Sequence, residues 1–128
     1  MRILVDTHIL LWAIYDSARL SSRARELLAG DDVEAYFSAA SMWEIAIKAQ
    51  LRRGDFAIDA EAVAKKAVRI GFAERPVTAE VAARTALLPL HHRDPFDRLL
   101  VAQAMADPAR LITADSRLVQ YSELVELV

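Results

Sequence analysis

The stretch RILVDTHILLWAIY, residues 2–15, joins a short apolar run to a helical pattern through a single acid. The run over residues 2–5 is typical of a buried strand. Asp6 follows it directly, and the spacing of apolar residues over 7–15 predicts a helix. Burying an acid directly after a strand costs free energy unless something binds it. The stretch therefore predicts a β/α junction with a functional acid at the carboxyl end of the strand.

The same alternation of strand and helix patterns continues along the chain. Helices are predicted over residues 22–29, 40–53 (before Gly54), 60–70, 79–87, 95–105 and 116–121, and strands over 34–38, 72–77, 110–113 and 124–128. Pro76 favours an edge position for the 72–77 strand, because proline lacks the donor that an interior strand uses. Parallel neighbours need a crossover connection, which a helix usually supplies. The order therefore predicts an α/β layer fold with a mainly parallel sheet.

Length and composition predict one domain over residues 1–128. The 128 residues include no cysteine and no Pro/Gly/Ser-rich linker, and 55% of them are apolar. A chain of this length buries enough surface to fold without disulfides or structural zinc. The absence of cysteine excludes thiolate catalysis and thiolate metal sites, and it fits a reducing cytosol. The apolar run over 9–15 is far shorter than the about 20 residues of a membrane span, so we expect a soluble, cytoplasmic protein without a membrane partner.

Charge limits how the protein attracts polyanions. The formal net charge is -2. Such a balance gives no global attraction to nucleic acid. A polyanionic partner must therefore be held by local basic patches or by bound cations.

Four acids occupy equivalent places at the β/α junctions: Asp6, Glu44, Asp97 and Asp115. Each follows a predicted strand or lies in the first turns of a helix. Ligands of open parallel sheets bind outside the carboxyl ends of the strands, so these acids are expected to converge on one rim. Gathered carboxylates repel one another and favour a divalent cation, and with no soft ligand available the natural choice is Mg²⁺ or Mn²⁺. Such a site suits phosphodiester hydrolysis.

Structural roles compete with this interpretation for three of the acids. Ser41 and Glu44 have the S-x-x-E spacing of a capping box, in which the glutamate binds a backbone amide. Asp94 before Pro95 is typical of a helix N-cap, and a cap explains Asp94 better than it explains Asp97 three residues later. Asp115 is placed to cap the short helix that follows. Asp6 is the hardest of the four to explain structurally, because an acid directly after a buried strand is costly to desolvate unless something binds it.

A second set of polar and basic residues is placed to support the acids: Thr7, Thr113, Ser116, Lys48 and Arg98. Serine and threonine at helix starts are first of all caps, but they also orient acids or water. Lys48 lies one turn after Glu44, where it pairs with that acid or faces phosphate. Arg98 is placed to contact a carboxylate or the scissile phosphate.

Histidine and tryptophan are predicted to have structural roles. His91 and His92 follow Pro89 in a turn-like stretch and have no metal-ligand spacing to a third residue, so we expect no imidazole chemistry. Trp12 and Trp43 lie on apolar helical faces, so they are expected in the core rather than as platforms for bases.

Four motifs, in order, are shared with a known family: ILVDTHILLW (3–12), SAASMWEIAIK (38–48), LPLHHRDPFDRLLVAQA (88–104) and LITADSRLVQY (111–121). Together they resemble the PIN-domain ribonucleases, and specifically the VapC-type toxins of bacterial toxin–antitoxin pairs. They span nearly the whole chain.

The resemblance implies a three-layer α/β/α sandwich with a five-stranded parallel sheet. It also implies a Mg²⁺- or Mn²⁺-dependent endoribonuclease that often forms a homodimer and is inhibited by a cognate antitoxin, whose C-terminal segment covers the acidic groove. The family's acids fall on Asp6, Glu44, Asp97 and Asp115, with Thr7 and either Thr113 or Ser116 as polar neighbours. Two departures are His8, where many relatives have asparagine, and Ala49-Gln50, where a Gly-Lys pair is expected.

Two other functions are compatible with the sequence. A phosphatase that forms an aspartyl-phosphate also places a nucleophilic aspartate after the first strand. It fits less well, because haloacid-dehalogenase-like enzymes carry a second aspartate where this chain has His8. A catalytically silent interaction module keeps the fold and uses its acids as caps and as anchors for a partner's arginine.

Overall fold

The computed structural model describes residues 1–52 and 58–128. Within this part the elements are β1 (Arg2–Val5), α1 (Thr7–Ile14), α2 (Ser22–Leu28), β2 (Glu34–Ser38), α3 (Ala39–Arg52), α4 (Ala60–Arg69), β3 (Ala73–Arg75), α5 (Ala79–Arg84), α6 (Pro95–Ala106), β4 (Arg110–Thr113) and β5 (Val125–Leu127). Two 3₁₀ helices cover Thr85–Leu87 and Ser116–Tyr121. The predicted order of strands and helices is confirmed. The predicted helix stop at Gly54 lies outside the described residues.

The strands form a five-stranded parallel sheet, in the order β3-β2-β1-β4-β5. β1 is central and pairs with β2 on one side and with β4 on the other. The chain thus builds the sheet outward from β1 in two directions, and the point where the direction reverses is where ligands bind in open α/β sheets. β3, which ends just before Pro76, is an edge strand as predicted.

Alternate residues of β1 face two separate apolar clusters, one on each side of the sheet. Ile3 and Val5 pack with buried residues of α1, α2, α3 and α4. Leu4 faces the opposite side, where Leu100 of α6 and Leu118 of the second 3₁₀ helix cover it. A strand buried on both faces reads as the continuous apolar run seen in the sequence. The expected three-layer α/β/α sandwich is confirmed.

Trp43 does not lie in the core, so the prediction of a buried tryptophan at this position is wrong. Its side chain is 62% exposed, and its ring lies edge-on to that of Phe96 with centroids 5.2 Å apart. The buried face of α3 is instead formed by Ser41, Glu44 and Ile45. Position 43 falls outside this i, i+3, i+4 stripe. Polar residues occupy the inward face because they belong to the site described below.

Across residues 1–52 and 58–128, the helices fall short of the length and apolarity that crossing a bilayer requires.

Candidate metal centre

Asp6 lies at the carboxyl end of β1 and is almost fully buried, at 4% exposure. Its Oδ1 accepts the backbone N–H of Ile9 at 2.8 Å and so caps α1. Its Oδ2 accepts a short hydrogen bond from the hydroxyl of Thr113, the last residue of the neighbouring strand β4. Burial raises the pKa of the Asp6 carboxyl, and the two hydrogen bonds oppose that rise. The acid is therefore held rigidly where its negative charge is poorly solvated.

Glu44 brings a second buried carboxylate to this rim from α3. Its Oε1 lies 2.6 Å from the hydroxyl of Thr7, which lies 2.9 Å from the hydroxyl of Ser41. Since each hydroxyl has one proton, Thr7 donates to Glu44 and accepts from Ser41. The other oxygen of Glu44 pairs with Lys48 at 2.8 Å, as the helical spacing predicts. Thr7 therefore fixes the orientation of Glu44.

The capping-box interpretation of Glu44 is wrong. The helix α3 begins at Ala39, two residues before Ser41. The hydroxyl of Ser38 accepts the backbone N–H of Ala40 at 3.0 Å instead, so the first turn has another partner. Glu44 is thereby left to bind Thr7 and Lys48.

Asp97 lies in the first turn of α6, beside Asp6 and Glu44. Asp94 is the N-cap and accepts the backbone N–H groups of Phe96 and Asp97 at 2.9 and 3.3 Å, and Pro95 is the first helical residue, as predicted. Burial raises the pKa of the Asp97 carboxyl to about 6. The negative charges of three acids add to the increase, namely Asp94, Asp6 and Glu44. Three of the four predicted acids are thus close enough to oppose one another's ionisation.

Asp115 reaches the same rim from the end of β4, but it is more exposed. It caps the second 3₁₀ helix by accepting the backbone N–H of Arg117 at 3.0 Å, as the competing interpretation predicts. The guanidinium of Arg117 also lies 2.9 Å from its Oδ2. The hydrogen bonds from Arg117 lower the pKa of the Asp115 carboxyl. Asp115 therefore stays ionised where Asp97 resists ionisation.

His92 is a member of the cluster that the sequence did not predict. Its Nε2 lies 2.9 Å from Oδ2 of Asp97 and 3.3 Å from Oδ2 of Asp115. Single ligand atoms of these three residues all lie within 4.8 Å of one another. The sequence spacing gave no sign of this role for His92. Its partners are Asp97, at a helix start five residues later, and Asp115, which follows a distant strand. The only signal was its position just before the Asp94 to Asp97 turn.

A groove of about 390 Å³ opens beside Asp6 and Asp115. Its other lining residues are His8, Trp12, Arg19, Ala114 and Ser116. The rings of His8 and Trp12 lie 6.0 Å apart along one wall. The groove therefore combines a carboxylate floor with aromatic and basic walls, and the predicted supporting residue Ser116 lies on its rim.

Arg98 does not lie among the carboxylates, which corrects the expectation of a supporting or substrate role. Its guanidinium donates to the backbone oxygens of Pro89, Thr85 and Leu88 at 2.9, 2.9 and 3.3 Å. A fourth bond, at 3.1 Å, reaches the hydroxyl of Tyr121. Both terminal nitrogens of the guanidinium are therefore hydrogen-bonded to oxygens of the protein. Arg98 thus anchors the segment that leads into α6.

The residues present fit a hard divalent cation. Ligand atoms of Asp97, Asp115 and His92 lie within 4.8 Å of one another. The buried carboxylates of Asp6 and Glu44 lie near enough for their charges to raise the pKa of Asp97. Oxygen donors of this kind are those that Mg²⁺ and Mn²⁺ prefer. A cation there removes the mutual repulsion that raises the pKa of Asp97.

Replacing Thr113 by valine is expected to destabilise the protein by about 1 to 3 kcal/mol, because Asp6 would keep a buried oxygen without its donor. The same change also removes the acceptor of the backbone N–H of Asp115, now at 3.0 Å. Urea unfolding at pH 7 in EDTA measures the effect. Thr85→Val is the control, since its hydroxyl bond to Ala82 is exposed and about 0.5 kcal/mol or less is expected there. Equal stability of Thr113→Val and the parent would contradict the role of Thr113.

The fold and the site together define a class of protein. It is a three-layer α/β domain with acids gathered at one rim of a parallel sheet. The family model of the PIN domain matches residues 3–124. The chain belongs to the PIN-domain family, which confirms the resemblance carried by its motifs.

Particular relatives narrow the comparison to VapC proteins. The chain is 32% identical over 121 residues to the ribonuclease VapC22 of Mycobacterium tuberculosis, covering 91% of this chain and 88% of the relative. Among solved structures, VapBC2 from Rickettsia felis bound to a DNA fragment from their promoter superposes with a TM-score of 0.71 at 17% identity, over 100% and 99% of the two chains. VapC20 of Mycobacterium tuberculosis, a sarcin-ricin loop cleaving toxin, gives 0.60 at 21% identity, over 94% and 97%. These two structures support the fold.

Proposed function

We propose that this protein is a divalent-metal-dependent endoribonuclease toxin of the VapC type. The observation that carries the proposal is the set of acids at the carboxyl end of the central strand: ligand atoms of Asp97, Asp115 and His92 lie within 4.8 Å of one another, and the charges of the buried Asp6 and Glu44 help to raise the pKa of Asp97. Membership of the PIN-domain family and the 32% identity to a ribonuclease support the reaction class.

Asp6, Glu44 and Asp97 would hold the cation, Mg²⁺ or Mn²⁺, with Asp115 at the outer side. When bound, such an ion neutralises charge on the phosphate and lowers the pKa of a water. The chain's own residues prepare the place for it. Thr113 and the Ile9 amide fix Asp6, and Thr7 fixes Glu44. Preorganised ligands of this kind need no rearrangement when substrate arrives.

The groove beside the acids is the proposed path of the RNA. The protein has a net charge of -2, so the phosphate backbone needs local attraction. The bound cation and the arginines near the groove, Arg19 and Arg117, supply it. Trp12, which was expected in the core, is only half-buried against it, and with His8 it lines one wall of the groove, where aromatic faces can stack on unpaired bases. A structured or tRNA-like RNA with unpaired bases at the cleavage site fits this wall.

The proposed partners are a cognate antitoxin and a second copy of this chain, meeting in the cytoplasm. The VapBC2 structure that shares this fold was solved as a VapB–VapC assembly on a DNA fragment from their promoter, which supports the first. Exposed large apolar side chains support a protein contact: Trp43 is 62%, Leu87 83% and Leu90 82% exposed. We also propose that the chain acts as a single domain.

Metal removal tests the reaction. The protein incubated with a total RNA pool and Mn²⁺ is expected to give discrete fragments, and excess EDTA is expected to reduce cleavage to the level of a no-enzyme control. Adding Mg²⁺ or Mn²⁺ beyond the EDTA should restore the same fragments. Cleavage that survives EDTA would contradict the metal requirement. An absence of cleavage with either ion would favour the silent interaction module, and a phosphoenzyme trapped on Asp6 would favour the phosphatase.

A further inference from the structure

His92 lies between two carboxylates that the fold brings together from different elements. Its side chain is only 9% exposed, and its Nε2 is 2.9 Å from Asp97 and 3.3 Å from Asp115. A nitrogen at these distances from two anionic oxygens either shares one proton between them or stands beside them as a third ligand. The partner of the other ring nitrogen decides between these two roles.

The other nitrogen, Nδ1, accepts the backbone N–H of Arg93 at 3.0 Å. Accepting this bond requires a lone pair on Nδ1, so the neutral ring carries its proton on Nε2. The Nε2–H then points at Asp97 and Asp115 as a donor. A metal ligand needs a lone pair on the coordinating nitrogen, and Nε2 has none in this tautomer.

The segment that holds the ring is itself anchored. The backbone N–H of His92 donates to the hydroxyl of Tyr121 at 2.9 Å, and that hydroxyl lies 3.3 Å from the backbone oxygen of His92. Arg98 donates to the same hydroxyl at 3.1 Å. Side chains from α6 and from the second 3₁₀ helix thus fix the backbone of His92 against the cluster. The ring has little freedom to turn and present another nitrogen.

We propose that His92 is a positioning residue that ties Asp97 to Asp115 through Nε2–H and is not itself a metal ligand. The inference rests on the proposed function for its purpose, since it explains how the Asp97 carboxylate is held for a cation. One shared proton donor offsets the repulsion between two nearby carboxylates. It also fixes the rotation of Asp97, so that this acid faces Asp6 and Glu44 in a single orientation. Outer hydrogen-bond partners of this kind orient metal ligands.

Nitrogen NMR of ¹⁵N-histidine-labelled protein tests the tautomer directly. Without metal, His92 is expected to show a protonated Nε2 and an unprotonated Nδ1, and the same pattern is expected to persist in saturating Mg²⁺. Loss of the Nε2 proton on adding Mg²⁺ would identify His92 as a ligand and overturn the proposal. A proton on Nδ1 in the metal-free protein would overturn it as well.

Calorimetric titration with Mn²⁺ tests the consequence for binding. His92→Phe keeps a planar ring without a donor, and it is expected to weaken Mn²⁺ binding by about 10- to 100-fold. His92→Gln, whose amide nitrogen reaches the place of Nε2, is expected to recover most of the affinity. His91→Ala is the matched control, because the ring of His91 is exposed and packs edge-on against Tyr121 with centroids 5.1 Å apart. Unchanged Mn²⁺ affinity in a folded His92→Phe protein would overturn the proposal.

These measurements separate the two proposals. Failure of the parent protein to cleave RNA would overturn the proposed function while leaving the tautomer and the Mn²⁺ affinities measurable. Circular dichroism at each titration temperature establishes that the variants are folded. If His92→Phe does not fold, the tautomer of the parent protein in the presence and absence of Mg²⁺ still decides the question.

Discussion

An Asp97→Asn protein is expected to cleave RNA at least about 100-fold more slowly than the parent in saturating Mn²⁺, because the change removes a proposed metal ligand, which costs more than removing an outer partner. The substitution preserves shape, and the asparagine oxygen can still accept the Nε2–H of His92, now at 2.9 Å from Asp97. What it removes is one negative charge from the proposed cation site. Initial rates of cleavage of one purified RNA fragment measure the effect.

The matched control is Asp107→Asn, at the other end of α6. Asp107 pairs with Arg2 at 2.7 Å and with Arg75 at 3.3 Å, and its side chain is 62% exposed. Loss of these exposed pairs costs at most about 1 kcal/mol and leaves the acidic cluster intact. Cleavage by Asp107→Asn is therefore expected at the parent's rate. Full activity in Asp97→Asn would show that Asp97 is not needed, and the proposed metal site would fail.

The metal-free protein is expected to lose stability as the pH rises from about 4 to about 6, because burial raises the pKa of Asp97 from 3.8 to about 6. The folded state then binds more protons than the unfolded state across this window. The stabilisation that Asp97 contributes is fully present below pH 3.8, its pKa in the unfolded chain. It is lost as the pH rises past about 6, the pKa of Asp97 in the folded protein. The loss is roughly 2 to 3 kcal/mol, and the raised pKa of Asp6 acts in the same direction.

A comparison with Asp97→Asn isolates the contribution of this carboxyl. In EDTA the two proteins are expected to have similar free energies of unfolding at about pH 3.5, below the unfolded pKa of Asp97, and the variant is expected to be more stable at pH 7. Mn²⁺ at 1,000 times its Kd should reverse the order at pH 7, since it stabilises the parent by about 4.1 kcal/mol, which exceeds the loss from the raised pKa of Asp97. Urea unfolding at the two pH values, with and without Mn²⁺, measures both effects. If the free energy of unfolding changed with pH in the same way in the parent and in Asp97→Asn, the loss of stability could not be assigned to Asp97.

Local patterns were enough to predict every strand and helix of the described residues. β1 is a continuous apolar run because both of its faces are covered, and Asp94-Pro95 signals a helix start by its own chemistry. The gathering of Asp6, Glu44 and Asp97 at one edge is also a prediction from the sequence, because parallel strands present their carboxyl ends there; the charges of Asp6 and Glu44 do help to raise the pKa of Asp97. Their functional role is a separate matter, and the cleavage and titration experiments above test it.

Other predictions failed where a side chain had several possible partners. Ser41 and Glu44 have capping-box spacing, but α3 starts two residues earlier and Thr7 takes the glutamate. Arg98 lies near acids in sequence, yet its guanidinium turns to backbone oxygens. His92 looked like a residue of a turn and lies between two carboxylates instead.

By itself the sequence determined the α/β alternation, the parallel sheet and the acids at its rim, because apolar periodicity and helix signals act over a few residues. Only the tertiary structure decided which groups meet across the rim: Thr113 with Asp6, Thr7 with Glu44, and His92 with Asp97 and Asp115. Hydrogen bonds and charge interactions act over a few ångströms. Their partners therefore depend on how residues far apart in the chain are packed together, and that information is absent from any short segment.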